Sequence, residues 1–254
     1  RRVQYEAPKL PSVDRPEPVV AIQRSIRLLE TSGAEFFKKS GCVGCHHQPL
    51  IARAQAAARA VGVSVNEDAA KEQTIQMRGQ WLALQEEFLQ TINPGGGANR
   101  LAENLLGLKA SGCPSDTITD SAVVDIAESQ EPDGSWIAGE VQNRPPIAQS
   151  DIAATARIVR VLQEYSIPAR QKEFDARIAR ASVWLKQQKP QTGDDFAMRL
   201  SGLTWSRAAR VDLVAAAKEL TALQRSDGGW AGNAHLRSDA YATGVALVAL
   251  AESG

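Results

Sequence analysis

The sequence predicts an all-α protein assembled from repeated helical hairpins. Three observations predict it. Strand signals are almost absent, since few stretches combine β-branched alternation with hairpin turns. Ala-rich segments carry apolar residues at i, i+3, i+4 and i+7 along most of the chain. The chain also repeats itself. Gln130-Glu131-Pro132-Asp133-Gly134-Ser135-Trp136 returns as Gln224-Arg225-Ser226-Asp227-Gly228-Gly229-Trp230. Ser150-Asp151-Ile152-Ala153-Ala154-Thr155-Ala156 returns as Ser238-Asp239-Ala240-Tyr241-Ala242-Thr243-Gly244.

Taken in order, residues 1–18 read as an extended arm. Pro8, Pro11, Pro16 and Pro18 stand there among mixed charges and few apolar side chains. Residues 19–254 form the repeat domain, with a distinct segment at 35–48. Glu35-Phe36-Phe37-Lys38-Lys39-Ser40-Gly41 reads as a short amphipathic helix and turn leading into Cys42. Pro49 to Ala60 reads as a helix that ends near Gly62. After the Pro94-Gly95-Gly96-Gly97 loop another helix opens at Ala98. Gly112 ends a helix, and Cys113 before Pro114 reads as a free, partly buried thiol.

Each later repeat reads as outer helix, loop, Asp cap and inner helix. A degenerate copy, Gln188 to Ala197, stands between the two clear ones. Asp151, Asp195 and Asp239 are spaced 44 and 44 residues apart and are expected as helix N-caps, because a carboxylate accepts bonds from first-turn amides. Aligned by helix ends, His47 falls at the equivalent position. The expectation is about five hairpins with the inner-helix N-termini on one rim. Trp136 and Trp230 are expected to plug gaps between repeats.

Composition sets bounds. The 254 residues are 43% apolar and 23% charged, ordinary values for a globular chain. Lys+Arg and Asp+Glu are both 29, which argues against a nucleic-acid partner. No apolar run is long enough to cross a membrane. No signal peptide is visible, and Arg1-Arg2 reads as the start of a trimmed or mature chain.

Cys42-Val43-Gly44-Cys45-His46 is the stretch that carries chemistry. It has C-x-x-C-H spacing, the pattern of covalent c-type haem attachment. Cys42 and Cys45 can each bond one haem vinyl group, and His46 then supplies the proximal iron ligand. The reading implies one covalent haem c and a periplasmic or extracellular location. His235 and Met198 are the distal candidates, with Met77 behind them. Zinc wants four ligands, and no second Cys/His pair exists in the chain.

The flank before Cys42 resembles the approach to the haem site in class I cytochromes c. Q-x-x-D-G-(S/G)-W resembles the QW-type motif of squalene and terpene cyclases. That superfamily includes prenyltransferase β subunits and complement thioester domains. This second resemblance is strong over about residues 116–254 and weaker back to about 45. It implies an α/α toroid, here an open or partner-closed ring. Together with Lys189 to Trp205, read as K-P-x-T-x-D-D-x-A-x-R-L-x-G-L-x-W, the motifs look like a bacterial family of cyclase-like repeat proteins with a cytochrome-type motif.

The resemblance brings catalytic expectations that this chain meets poorly. Cyclases protonate an alkene with the central Asp of D-x-D-D. Here Thr192-Gly193-Asp194-Asp195 lacks the first Asp, and the aromatic content is only 5%. Prenyltransferase zinc would need Asp239, Cys113 and His235 to converge. Cys45-His46-His47-Gln48 has C-x-x-Q thioester spacing but not the Gly and Glu of the complement motif. The expected function is therefore electron transfer, with a redox partner protein or multi-subunit assembly, and no catalysis by the chain itself. A cyclase-like enzyme on an isoprenoid or apolar substrate and a non-catalytic scaffold are the alternatives.

Overall fold

The computed structural model describes residues 16–44, 47–92, 97–138, 150–165 and 167–254. The expected arm falls almost wholly outside them, as do Cys45, His46 and most of the Pro94–Gly97 loop. The described residues are all-helical, with no strand among them.

The helices are α1 (Pro18–Ser40), α2 (Gln48–Ala60), α3 (Glu67–Gly79), α4 (Gln85–Leu89), α5 (Gly97–Ala110) and α6 (Thr117–Glu128). They continue as α7 (Asp151–Glu164), α8 (Gln171–Gln187), α9 (Gly193–Trp205), α10 (Arg210–Thr221) and α11 (Ala240–Ser253). The helix expected before Cys42 is the end of a much longer one. Pro18 opens α1, where its fixed φ is tolerated, and Gly41 closes it in the left-handed conformation.

Packing follows chain order. α2, α5, α7, α9 and α11 form a row in which each helix lies against the next. The others flank it, α6, α8 and α10 each bordering two members of the row. Burial is deepest in the middle of the row and shallowest towards α10 and α11. Ten of the fourteen residues of α7 are buried, against two of the twelve in α10. The row is close-packed at its middle: a Cβ on Gly202 of α9 would stand 2.8 Å from the Ala156 side chain of α7.

The three expected aspartate caps are one cap and two first-turn carboxylates. Asp239 does cap α11, accepting from the Ala242 amide. Ser150 caps α7 and Thr192 caps α9, so Asp151 and Asp195 are the first and third residues of their helices. A hydroxyl one to three residues earlier takes the cap, and the carboxylate sits where the helix dipole favours negative charge. Asp195 completes a capping box, its Oδ2 accepting from the Thr192 amide.

The first turns of α7, α9 and α11 do meet at one end. Ser150 Oγ donates to Asp195 Oδ1, and the Tyr241 hydroxyl donates to Asp194 Oδ1 at 3.0 Å. α2 departs from that register. His47 precedes α2 as expected, but Pro49 lies against Gly107, the eleventh residue of α5. That is about 15 Å along α5 from its start. The start of α2, with His47 before it, therefore does not share the rim of Asp151, Asp195 and Asp239.

Candidate functional site

The end of α1 and the start of α2 hold the C-x-x-C-H segment between them. Ser40 Oγ donates to the Phe36 carbonyl and accepts from the Cys42 amide, which turns the chain out of α1. Val43 is buried in the main core, so the loop is anchored by one apolar side chain. Beyond it the Gly44 amide donates to Gln48 Oε1 at 2.8 Å, and the His47 amide donates to the Gly44 carbonyl. Gln48 itself is fully buried.

Cys42 stands outside these anchors with an exposed, free thiol. His47 is half-buried. Its Nε2 lies 3.1 Å from Ser32 Oγ, and its ring stands edge-on to Phe36 at 5.0 Å between centroids. Burial lowers its pKa, which favours the neutral ring. His47 is thus a fixed part of the α1–α2 contact. Cys45 and His46 are outside the described residues.

The distal-ligand candidates lie elsewhere. Met198 is buried in α9, between α7 and α11. Met77 is fully buried in α3. His235 is exposed on the loop before α11, its amide bonded to Asn233 Oδ1. No hydrogen bond or ring contact among the described residues joins any of them to Cys42 or His47. The zinc set is likewise dispersed: Asp239 caps α11, while Cys113 lies after α5 in a cleft beside Arg59 and Lys71. Among the described residues no group of three His, Cys, Asp or Glu is placed to hold a metal ion.

A second polar constellation lies inside the row. Glu103 of α5 is 1% exposed and Arg157 of α7 is 4% exposed. Arg157 Nε lies 2.5 Å from Glu103 Oε1, and Arg53 of α2 reaches Glu103 Oε2 at 3.4 Å. Arg157 also donates to Asn99 Oδ1. Asp194 of α9 adds a second buried carboxylate to the same field. Burial raises its pKa, while Arg157 and the Tyr241 hydroxyl pull it back. Its Oδ2 has no hydrogen-bond partner among the described residues.

The sequence singled out Asp194 and Asp195 but missed Glu103, Arg157 and Tyr241. Their signal was present: Glu103 interrupts the apolar run Leu101 to Leu106, and Arg157 interrupts Ile152 to Val161. A charge on the buried stripe of a helix demands a partner.

Asp125 of α6 is another buried carboxylate, 5% exposed and pushed up to about 6 by burial. It borders a cleft of about 230 Å³ with Thr91, Ala98, Glu128 and Ser129. A raised folded-state pKa stabilises the protein below the unfolded value near 4, and that stability is lost as pH rises through 6. Asp125→Asn keeps the shape without the charge. Urea denaturation should show the variant more stable than the parent by about 1–3 kcal/mol at pH 8 and equal to it at pH 4. An equal difference at both pH values would refute the assignment.

Comparison with known protein families, with curated proteins and with solved structures finds no match to this chain.

Proposed function

We propose that this chain is a c-type haem protein of the α/α toroid kind, acting in electron transfer as a subunit or partner of a periplasmic or extracellular redox assembly. The observation that carries the reading is the anchored C-x-x-C-H loop with its exposed Cys42 thiol. The Cys42 thiol, free and accessible, suits a thioether bond, and the backbone on either side of the motif is tied to α1 and α2. Cys42 and Cys45 would hold the haem through thioethers, and His46 would ligate the iron. The haem would supply one-electron exchange. The chain's own contribution is to fix the loop ends and leave the cysteine side open to a partner surface.

Intact mass tests this. Expressed with export and haem-lyase machinery, the protein should exceed its bare polypeptide mass by about 616 Da, with a c-type pyridine haemochrome band. Cys45→Ser should leave at most one thioether, and His46→Ala should alter the axial spectrum more than attachment. A bare polypeptide mass under those conditions sinks the proposal.

One observation favours the cyclase-like alternative. Asp194 is buried, has a raised pKa and keeps one oxygen unpartnered, which suits a proton donor. Conversion of an isoprenoid substrate, abolished by Asp194→Asn and indifferent to loss of Cys42 and Cys45, would establish that reading instead.

A further inference from the structure

Asp125 of α6 is 5% exposed, and among the described residues no hydrogen bond or ion pair reaches its carboxyl. The other deeply buried carboxylates have partners. Glu103 meets Arg157, Asp194 accepts from the Tyr241 hydroxyl, and Asp195 accepts from Ser150 and the Thr192 amide. A buried carboxylate without a counter-charge destabilises a fold. No described residue offsets that cost for Asp125.

The side chain lines the floor of the cleft of about 230 Å³. Asp125 and Ala98 are the buried part of the lining, and Thr91, Glu128 and Ser129 are exposed at its mouth. Both hydroxyls direct their protons away from it. Ser129 Oγ donates to the Ile126 carbonyl at 2.9 Å, and Thr91 Oγ1 donates to the Gln90 carbonyl at 2.7 Å. Each oxygen keeps lone pairs that can accept. Glu128 is held by Arg170 and Arg177, so Asp125 is the carboxylate of the lining without a counter-charge. The polar side chains described around the cleft are therefore all acceptors. The group that satisfies them is a cationic donor.

Thr91 stands where a glycine would relax the chain. It follows α4 with a φ of 53°, its amide donating to the Phe88 carbonyl while the Ile92 amide donates to the Glu87 carbonyl. That pair of bonds is a Schellman closure, whose left-handed residue is usually glycine. A β-branched side chain is strained in this conformation. The strain comes with the hydroxyl that Thr91 brings to the cleft.

We infer that this cleft binds a small primary alkylammonium ion, held by the unpartnered Asp125 carboxylate at its floor and by the Thr91 and Ser129 oxygens at its mouth. An ammonium carries three donors and no acceptor, which matches the three acceptors. The alkyl part would lie against the Ala98 methyl. A cleft of this size suits an amine of a few carbons, since pockets for drug-sized ligands begin at about 300 Å³. A hard metal ion suits it poorly, because Mg²⁺ and Ca²⁺ take about six to eight oxygen ligands. The inference stands apart from the haem reading.

The test uses the full chain, isotope-labelled for NMR at pH 8, with n-butylammonium chloride as probe. Saturable shifts should appear at the Ala98, Asp125 and Ser129 amides, with a Kd of about 1 mM or tighter. n-Butanol, which lacks the charge, and tetramethylammonium, which lacks the N–H donors, should each bind at least about tenfold more weakly. Asp125→Asn should weaken butylammonium binding at least about tenfold in a chain that is no less stable than the parent. Thr91→Gly should weaken it severalfold while leaving the melting temperature equal or higher, which separates loss of the hydroxyl from loss of the fold. The inference is overturned by an absence of saturable shifts at about 10 mM butylammonium, by equal binding of n-butanol, or by unchanged binding to the Asp125→Asn chain. The same shifts produced more tightly by Mg²⁺ or Ca²⁺ alone would overturn it too.

Discussion

Trp136→Ala should lower the unfolding free energy by about 4 kcal/mol, among the largest losses any single truncation in this chain produces. The side chain is 0% exposed, and its indole donates at 2.7 Å to the Ile126 carbonyl near the end of α6. Removal leaves a cavity bordered by α6 and α7 and an acceptor without its donor. Trp136→Phe separates the two parts: it keeps most of the volume and should cost about 1–2 kcal/mol for the lost indole bond. Chemical denaturation reads both. A loss under 1 kcal/mol for the alanine variant would mean that the loop can collapse over the gap. Trp230→Ala should also be costly, since that ring is 3% exposed and makes the same bond to Leu220.

Arg157→Met should cost about 3–5 kcal/mol at neutral pH. The methionine fills similar space, so the loss is electrostatic. Glu103 and Asp194 would remain buried without the cation that faces both. The loss should depend on pH in a defined direction. Without Arg157 the Asp194 pKa rises further, and a carboxyl with a raised folded-state pKa destabilises progressively as pH climbs through that value. The deficit should therefore shrink towards pH 4 and be greatest at pH 8. Arg157→Met with Glu103→Gln should recover part of it, because the double change removes a charge along with its partner. A deficit independent of pH, or no recovery in the double variant, would contradict this account.

The helical class and much of its punctuation were legible in the sequence. The repeat of Gln130–Trp136 at Gln224–Trp230 anticipated two loops with matching glutamine and tryptophan hydrogen bonds, and the tryptophans are buried as expected. Helix openings were read to within a few residues, but of the three expected aspartate caps only Asp239 is one. Ser150 and Thr192 compete with the neighbouring aspartates for the same amides, and spacing alone does not say which side chain reaches them. The displacement of α2 along α5 was invisible for a related reason. It is set by where Pro49 and Gly107 allow two backbones to approach, not by any cap. The pairing of Glu103 with Arg157 spans 54 residues, and periodicity carries no information about which buried charge meets which. The turn that leads out of α1 into Cys42 was legible, because Gly41 is a local stop signal.

The order of the row bears on how the chain comes together. α2, α5, α7, α9 and α11 touch in the order in which they are synthesised. No distant segment must be awaited before a newly made hairpin finds its neighbour. Such a chain can condense from any point and grow in both directions, like a zipper with several starting teeth. Loosening works the same way. α11 packs on α9, and its Tyr241 reaches Asp194 and Arg157, so its detachment would uncover those buried charges first.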